Sequence, residues 1–236
     1  MHSGAIAQDI LDRCMARRGR IHTFETIDPA RTAMLVIDLQ EAFVAEGAVA
    51  EIPMARDIVP GINRINQSLR EAGGLVVWIV STYGPKPEDR WPIMYDHIFD
   101  AATGERIRAA LSEGAASHAI YSLLDTRPED PIVSKNRFSA FVGSDGRLEE
   151  LLRSRGIDTV LVTGTVTSVC CESTAREAAM RNFKTLMVSD ASAGRDDEEH
   201  WASLANILLG FGDVYTADET IALIKAGCDR ESTAAE

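Results

Sequence analysis

Asp158-Thr159-Val160-Leu161-Val162-Thr163-Gly164-Thr165-Val166-Thr167-Ser168-Val169-Cys170-Cys171-Glu172-Ser173-Thr174-Ala175 is the stretch whose reading decides the fold of this chain. The run from Asp158 to Val162 is apolar, β-branched and too short for a helix, so it reads as a buried strand. Beyond it, Ala175, Ala178, Ala179 and Met180 recur at helical spacing. Cys170 and Cys171 therefore sit where a strand has ended and a helix begins. Backbone N–H groups are unpaired there, and the helix dipole favours negative charge. A thiol in that position is expected to shift toward thiolate, the form that attacks carbonyls. The alternative is a pair of small buried side chains, because free Cys is among the most buried residue types. Both readings stand open on this stretch alone.

Similar apolar runs recur on either side. Ala33-Met34-Leu35-Val36-Ile37, Leu75-Val76-Val77-Trp78-Ile79-Val80, Ile132-Val133, Thr185-Leu186-Met187-Val188 and Val214-Tyr215 read as further strands. Helical patterns occupy 5–18, 56–72, 147–156, 169–182 and 197–210, the second closed by Gly73-Gly74. Strands that are apolar throughout and alternate with helices predict an α/β fold. We expect a three-layer, doubly wound, mostly parallel sheet of about six strands with helices on both faces. A single domain over 1–236 is expected, with a core at about 28–225, a helical N-terminal extension at 1–27 and a polar, frayed tail at 229–236. Segment 83–130 breaks the rhythm with Pro85, Pro87 and Pro92 and a cluster of Trp91, Met94, Tyr95, His97, Ile98 and Phe99. It reads as a binding excursion after a strand end, as a packing or subunit-contact segment, or as both.

The net charge of −12 repels nucleic acid and anionic membranes alike, so neither is an expected partner. No run approaches the roughly 20 apolar residues needed to span a bilayer, and charged residues interrupt the first 20 positions, so no secretory signal is read. Cys14, Cys170, Cys171 and Cys228 show neither zinc nor disulfide spacing, which predicts a reducing, cytoplasmic setting. No Gly-x-Gly-x-x-Gly follows a strand, so a dinucleotide site has no support.

Ligands of parallel sheets bind outside the carboxyl ends of the strands. Asp38 ends the first strand, Lys135 follows the third within Val133-Ser134-Lys135-Asn136-Arg137-Phe138-Ser139-Ala140-Phe141, and Cys170 follows the fourth. Singly, the Asp reads as a turn residue and the Lys as a solvated charge. Together they supply a proton acceptor, a charge stabiliser and a nucleophile.

These elements resemble the isochorismatase-like cysteine hydrolases. The Asp, the Lys followed by Ser-Ala-Phe, and the pattern from Gly164 through Thr167 and Cys170 to Ser173-Thr174-Ala175-Arg176 occur in that family's order over roughly residues 28–225. The superfamily includes N-carbamoylsarcosine amidohydrolase, nicotinamidase, ureidoacrylate amidohydrolase and biuret hydrolase. The resemblance implies a catalytic triad of Asp38, Lys135 and Cys170, with Cys171 as a packing residue. It also implies a non-proline cis peptide between Thr165 and Val166, and an oxyanion hole from the backbone N–H groups of Val166 and Cys170. The implied chemistry is acyl transfer from a small amide, carbamoyl or ureido compound, without a cofactor, in a homo-oligomer such as a dimer or tetramer. Isochorismatase-type hydrolysis and a non-catalytic binding role are the alternatives.

The metal-binding Asp-x-His-x-His element of nicotinamidases has no counterpart among His2, His22, His97, His118 and His200. No metal is therefore expected. Gln40, Phe43, Tyr83, Arg137, Phe138 and Phe141 lie near predicted strand ends and are the candidate substrate-binding residues. Arg137 is read either as a carboxylate clamp or as a partner of an acid such as Glu172.

Overall fold

Six apolar runs become six strands: β1 (Thr32–Ile37), β2 (Leu75–Ser81), β3 (Ile132–Lys135), β4 (Thr159–Thr165), β5 (Lys184–Ala193) and β6 (Asp213–Tyr215). The computed structural model describes residues 1–84, 89 and 91–234, so Pro85 and Pro87 lie outside the described residues. The strands form one sheet in the order β3-β2-β1-β4-β5-β6, and every strand pair is parallel. The order reverses between β1 and β4, the switch point at which doubly wound sheets open a crevice.

The helices are α1 (Gln8–Arg18), α2 (Glu41–Val44), α3 (Ala55–Glu71), α4 (Ala101–Ala110), α5 (Ala140–Gly143), α6 (Arg147–Ser154), α7 (Glu172–Met180), α8 (Asp197–Gly210) and α9 (Ala217–Ala234). Side chains alternate across each strand, and the two faces feed two cores. Ala33, Leu35 and Ile37 pack with Leu148 and Leu152 of α6, Ala175 and Ala178 of α7, and Leu204 and Ile207 of α8. Met34 and Val36 point the other way, against Ile58, Ile62, Ile65 and Leu69 of α3 and Ile224 of α9. Both faces are covered, which is why no strand alternates apolar with polar.

Three boundaries differ from the sequence expectation. The 169–182 helix begins as a π-helical turn, Thr167–Cys171, and becomes α-helical at Glu172. The tail expected to fray from 229 continues α9 to Ala234. Segment 83–130 holds a π-helical turn at Ile93–Ile98 and α4, which builds a third, smaller core from Ala42, Tyr83, Tyr95, Ile107 and Leu111. That cluster sits at the carboxyl end of the sheet, since Tyr83 lies two residues beyond the end of β2 and Ala42 lies in α2 beyond β1.

The N-terminal segment is fastened to α8. Cys14 is buried against it, Arg17 and Arg18 donate to the carbonyls of Leu209 and Leu208, and His2 stacks on His200 at 3.8 Å between ring centroids. Among the described residues no helix is long and apolar enough to cross a membrane.

Candidate active site

Asp38 is the first residue beyond β1, with φ of +53°. Asp tolerates that left-handed conformation better than most residues. Asp38 Oδ1 accepts from Ser81 Oγ at 2.9 Å, and Oδ2 lies 2.8 Å from Lys135 Nζ. Lys135, the last residue of β3, is 1 % exposed, and its ammonium donates to Ser81 Oγ at 2.8 Å, Arg137 O at 3.2 Å and Cys170 Sγ at 3.4 Å. Four strand ends thus meet. The carboxylate comes from β1, the serine that links it to the ammonium from β2, the ammonium from β3, and the thiol from the turn after β4. Ser81 was not singled out from sequence. Its only signal was a polar side chain closing an apolar run.

Backbone packing fixes this convergence. Gly164 has φ of +105°, and a Cβ there would lie 2.1 Å from Ile37 O, so only glycine lets β4 pass the end of β1. A Cβ on Gly143 would lie 2.9 Å from Lys135 Cβ, so that glycine lets α5 close over the lysine. Ser139 caps α5, and Ala140 N donates to Thr174 Oγ1 at 3.0 Å, tying the lysine loop to α7. Thr174 Oγ1 in turn donates to Cys170 O at 2.7 Å. The peptide between Thr165 and Val166 is cis. Val169 N and Cys171 N both donate to Val166 O, closing the π-helical turn beneath Cys170. Thr167 Oγ1 lies 2.9 Å from His200 Nδ1, and burial pushes the His200 pKa down to about 3, so its ring stays neutral.

The electrostatics correct one expectation. Cys170 is not poised as a thiolate: burial, reinforced by the Asp38 charge, pushes its thiol up to about 12, against the opposing pull of Lys135. Desolvation of a buried thiolate outweighs the partial charge at a helix start. Burial also opposes the charge on Lys135, but Asp38 and Cys170 more than offset it and hold the ammonium above the ordinary lysine range. Cys171 is fully buried, with its thiol 3.7 Å from Thr163 O and its pKa raised well above the usual value by burial. It fills core space.

Cys170 opens onto a cavity of about 750 Å³. Phe43, Tyr83 and Phe138 line it, together with Val166. The other three candidate substrate residues do not. Gln40 is fully buried, its amide donating to Ser81 O and His118 O and accepting from Ser81 N, so it braces β2. Phe141 packs against Phe183 in the core. Arg137 donates to Asn136 O and lies over the Trp91 ring, 5.3 Å from its centroid. Nearness to a strand end did not reveal which way these side chains turn. Met94, Tyr95, Ile98 and Phe99 of the 83–130 cluster also line it, as one reading of that segment expected, whereas Val49, Ile52, Ile107 and Leu111 are walls that sequence reasoning missed. Among the described residues no group of three or more His, Cys, Asp or Glu side chains could hold a metal ion.

The doubly wound sheet, with Asp38, Lys135 and Cys170 buried at its switch point, is an α/β fold of the isochorismatase-like hydrolase type. More specifically, the chain belongs to the isochorismatase-like cysteine hydrolase family, whose isochorismatase domain matches residues 32–219. It is 29% identical over 199 residues to ureidoacrylate amidohydrolase RutB of Methylobacterium radiotolerans, covering 79% of this chain and 76% of that one. It is 27% identical over 177 residues to a probable inactive nicotinamidase of Arabidopsis thaliana, covering 75% and 87%. A cysteine hydrolase from Pseudomonas syringae pv. phaseolicola superposes with a TM-score of 0.77 at 29% identity, covering 85% of this chain and 95% of that one.

Proposed function

We propose that the protein is a cysteine amidohydrolase that cleaves the C–N bond of an amide, carbamoyl or ureido compound through a covalent intermediate on Cys170. The observation that carries this reading is the position of the Lys135 ammonium, at ion-pair distance from Asp38 and 3.4 Å from the thiol sulfur. When the proton passes from Sγ to the Asp38 carboxylate, the negative charge moves from one neighbour of Lys135 to the other. The net charge of the buried site does not change, so the transfer avoids most of the desolvation penalty of creating a lone thiolate.

The thiolate then attacks the substrate carbonyl carbon, forming a C–S bond. The backbone N–H groups of Val166 and Cys170 receive the developing oxyanion, an effect contributing about 3–4 kcal/mol per donor. Asp38 returns its proton to the leaving nitrogen as the C–N bond breaks, releasing ammonia or an amine. In the second half, water attacks the thioester carbonyl while Asp38 takes its proton. Collapse of that adduct releases the acid and restores the thiol.

The reading is supported by relatives named for amidohydrolase chemistry and by the intact Asp38–Lys135–Cys170 set. The four cysteines are thiols rather than disulfides, in keeping with a reducing, cytoplasmic setting. The test is an ammonia-release screen over primary amides, carbamoyl amino acids, ureido acids and biuret, run with the wild-type protein and Cys170→Ala. The expected result is turnover of at least one class that the variant loses by a factor of about 10⁴ or more. Equal turnover by the variant overturns the reading.

A further inference from the structure

The shape and lining of the cavity say more about the substrate than the catalytic groups do. Its volume of about 750 Å³ lies within the roughly 300–1,000 Å³ typical of sites that enclose drug-sized ligands. A small ureido acid would fill only a fraction of it. Phe43, Val49, Met94, Phe99, Phe138 and Val169 line it and are each only partly buried by the rest of the chain, so their apolar surface faces the cavity. They come from α2 and the loop after it, the π-helical turn at 93–98 and its end, the loop after β3, and the nucleophile turn.

Among the described residues, the charged groups on the wall are already engaged. Glu51 pairs with Arg56 at 2.8 Å and accepts from Gly47 N, while Arg195 pairs with Glu199 at 2.9 Å. The Tyr83 and Tyr95 hydroxyls remain protonated, since burial raises both well above the ordinary tyrosine range. Among the described residues, a substrate carboxylate would therefore meet an aromatic and aliphatic wall and a single arginine, Arg195, already paired with Glu199, so desolvation opposes it. Arg137, the cation that sequence reasoning offered as a carboxylate clamp, does not line the cavity.

The geometry points to a neutral amide with a bulky apolar acyl group as the substrate class, the carbonyl at Cys170 and the hydrocarbon or aromatic body lying along the α4 and 93–99 wall. This rests on the amidohydrolase reading above and narrows it. Apolar burial is worth about fourfold in binding per methylene enclosed, so the preference grows with chain length until the cavity is filled.

The test measures binding and turnover separately. Acetamide, butanamide, hexanamide and 3-phenylpropanamide are titrated calorimetrically into Cys170→Ala, with N-carbamoyl-β-alanine and succinamic acid as anionic comparators. The same compounds are assayed for ammonia release, and for mutual competition, on the wild-type protein. The expected result is an affinity that climbs about fourfold per methylene, with hexanamide and 3-phenylpropanamide at least about 100-fold ahead of either anion. The wild-type kcat/KM should follow the same order. Flat affinity across the series, or preference for an anion, overturns the apolar assignment, even if the wild-type protein hydrolyses that anion through Cys170. If apolar amides bind in the expected order but none is hydrolysed, while an anion is, the substrate assignment is likewise overturned. Hydrolysis undiminished in Cys170→Ala overturns the nucleophile instead. If Cys170→Ala fails to fold, inhibition constants on the wild-type protein carry the same ranking.

Discussion

Replacing Asp38 with Asn should make Cys170 more acidic while abolishing its activity. In the intact site the thiol is pushed up to about 12 by burial and by the Asp38 charge, with Lys135 pulling the other way. Lys135 Nζ lies 3.4 Å from Sγ. At an effective dielectric of about 20, one charge at that distance is worth about 5 kcal/mol, or about 3.5 pH units. The Asp38 charge opposes that attraction, and Asp38→Asn removes the opposition while keeping an oxygen for Ser81 Oγ. The Cys170 pKa should then fall by about 2–3 units, on the scale of one neighbouring charge. The assay is thiolate absorbance at 240 nm against pH, taken as the difference between Asp38→Asn and Asp38→Asn/Cys170→Ala. Iodoacetamide labelling at pH 8–9 gives a second readout: Cys170 should label faster in the variant than in the wild type, whose resting thiol is protonated. Amide hydrolysis should fall at least about 10³-fold, because the thiolate that forms has no acid to deliver to the leaving nitrogen. An unchanged or higher Cys170 pKa in the folded variant would refute the reasoning, since it would mean that Asp38 is not the charge that keeps the thiol protonated.

Three other outcomes follow from the same geometry. Thiols in the unfolded chain ionise near pH 8.5, whereas folded Cys170 holds its proton to about 12, so the folded state binds more protons between those values and stability falls as pH rises. The ion-paired Lys135 acts in the same direction, its contribution intact below about 10.4 and lost above the folded-state value. Thermal denaturation should therefore show Tm declining above about pH 8.5, with a shallower decline in Cys170→Ala, and a parallel decline would count against it. Ser81→Ala removes one hydrogen bond from each member of the buried ion pair and should cost about 2–4 kcal/mol in urea denaturation, with activity reduced; a neutral result would remove Ser81 from the account. Gly164→Ala, which places a Cβ 2.1 Å from Ile37 O at a φ of +105°, should destabilise by more than about 3 kcal/mol or prevent folding, and a soluble, fully active variant would contradict the close passage of β4.

The sheet was legible because its strands are buried on both faces and therefore uninterrupted: the run from Ala33 to Ile37 has no polar position to confuse with a helix. Asp38, Lys135 and Cys170 were legible because each directly follows such a run or the short turn after it. Helices α4 and α9 were not read, and α9 had been assigned in part to a frayed tail. Both carry charged residues through much of their length, so packing against neighbours holds them rather than a strong apolar stripe. The protonation of Cys170 was misread for a related reason. A helix start is visible in sequence, but the burial that overrides it is supplied by side chains from other elements. The cavity wall was hardest. Phe43 and Phe99 were picked out by their place near a strand end and in the aromatic cluster of 83–130, but Val49, Ile107 and Leu111 share no periodicity with them and meet them only through the third core above the sheet, whereas Gln40 and Phe141, which sequence placed near the site, turn inward to brace it.

The central claim is that Cys170 carries the acyl group during turnover. The most direct test is rapid-quench peptide mass spectrometry with the best amide from the screen. The account predicts a transient mass increase equal to the amide minus ammonia, located by fragmentation on Cys170 rather than Cys171 and absent in Cys170→Ala. Full amide hydrolysis with Cys170 unmodified at every time point, and persisting in Cys170→Ala, would contradict it.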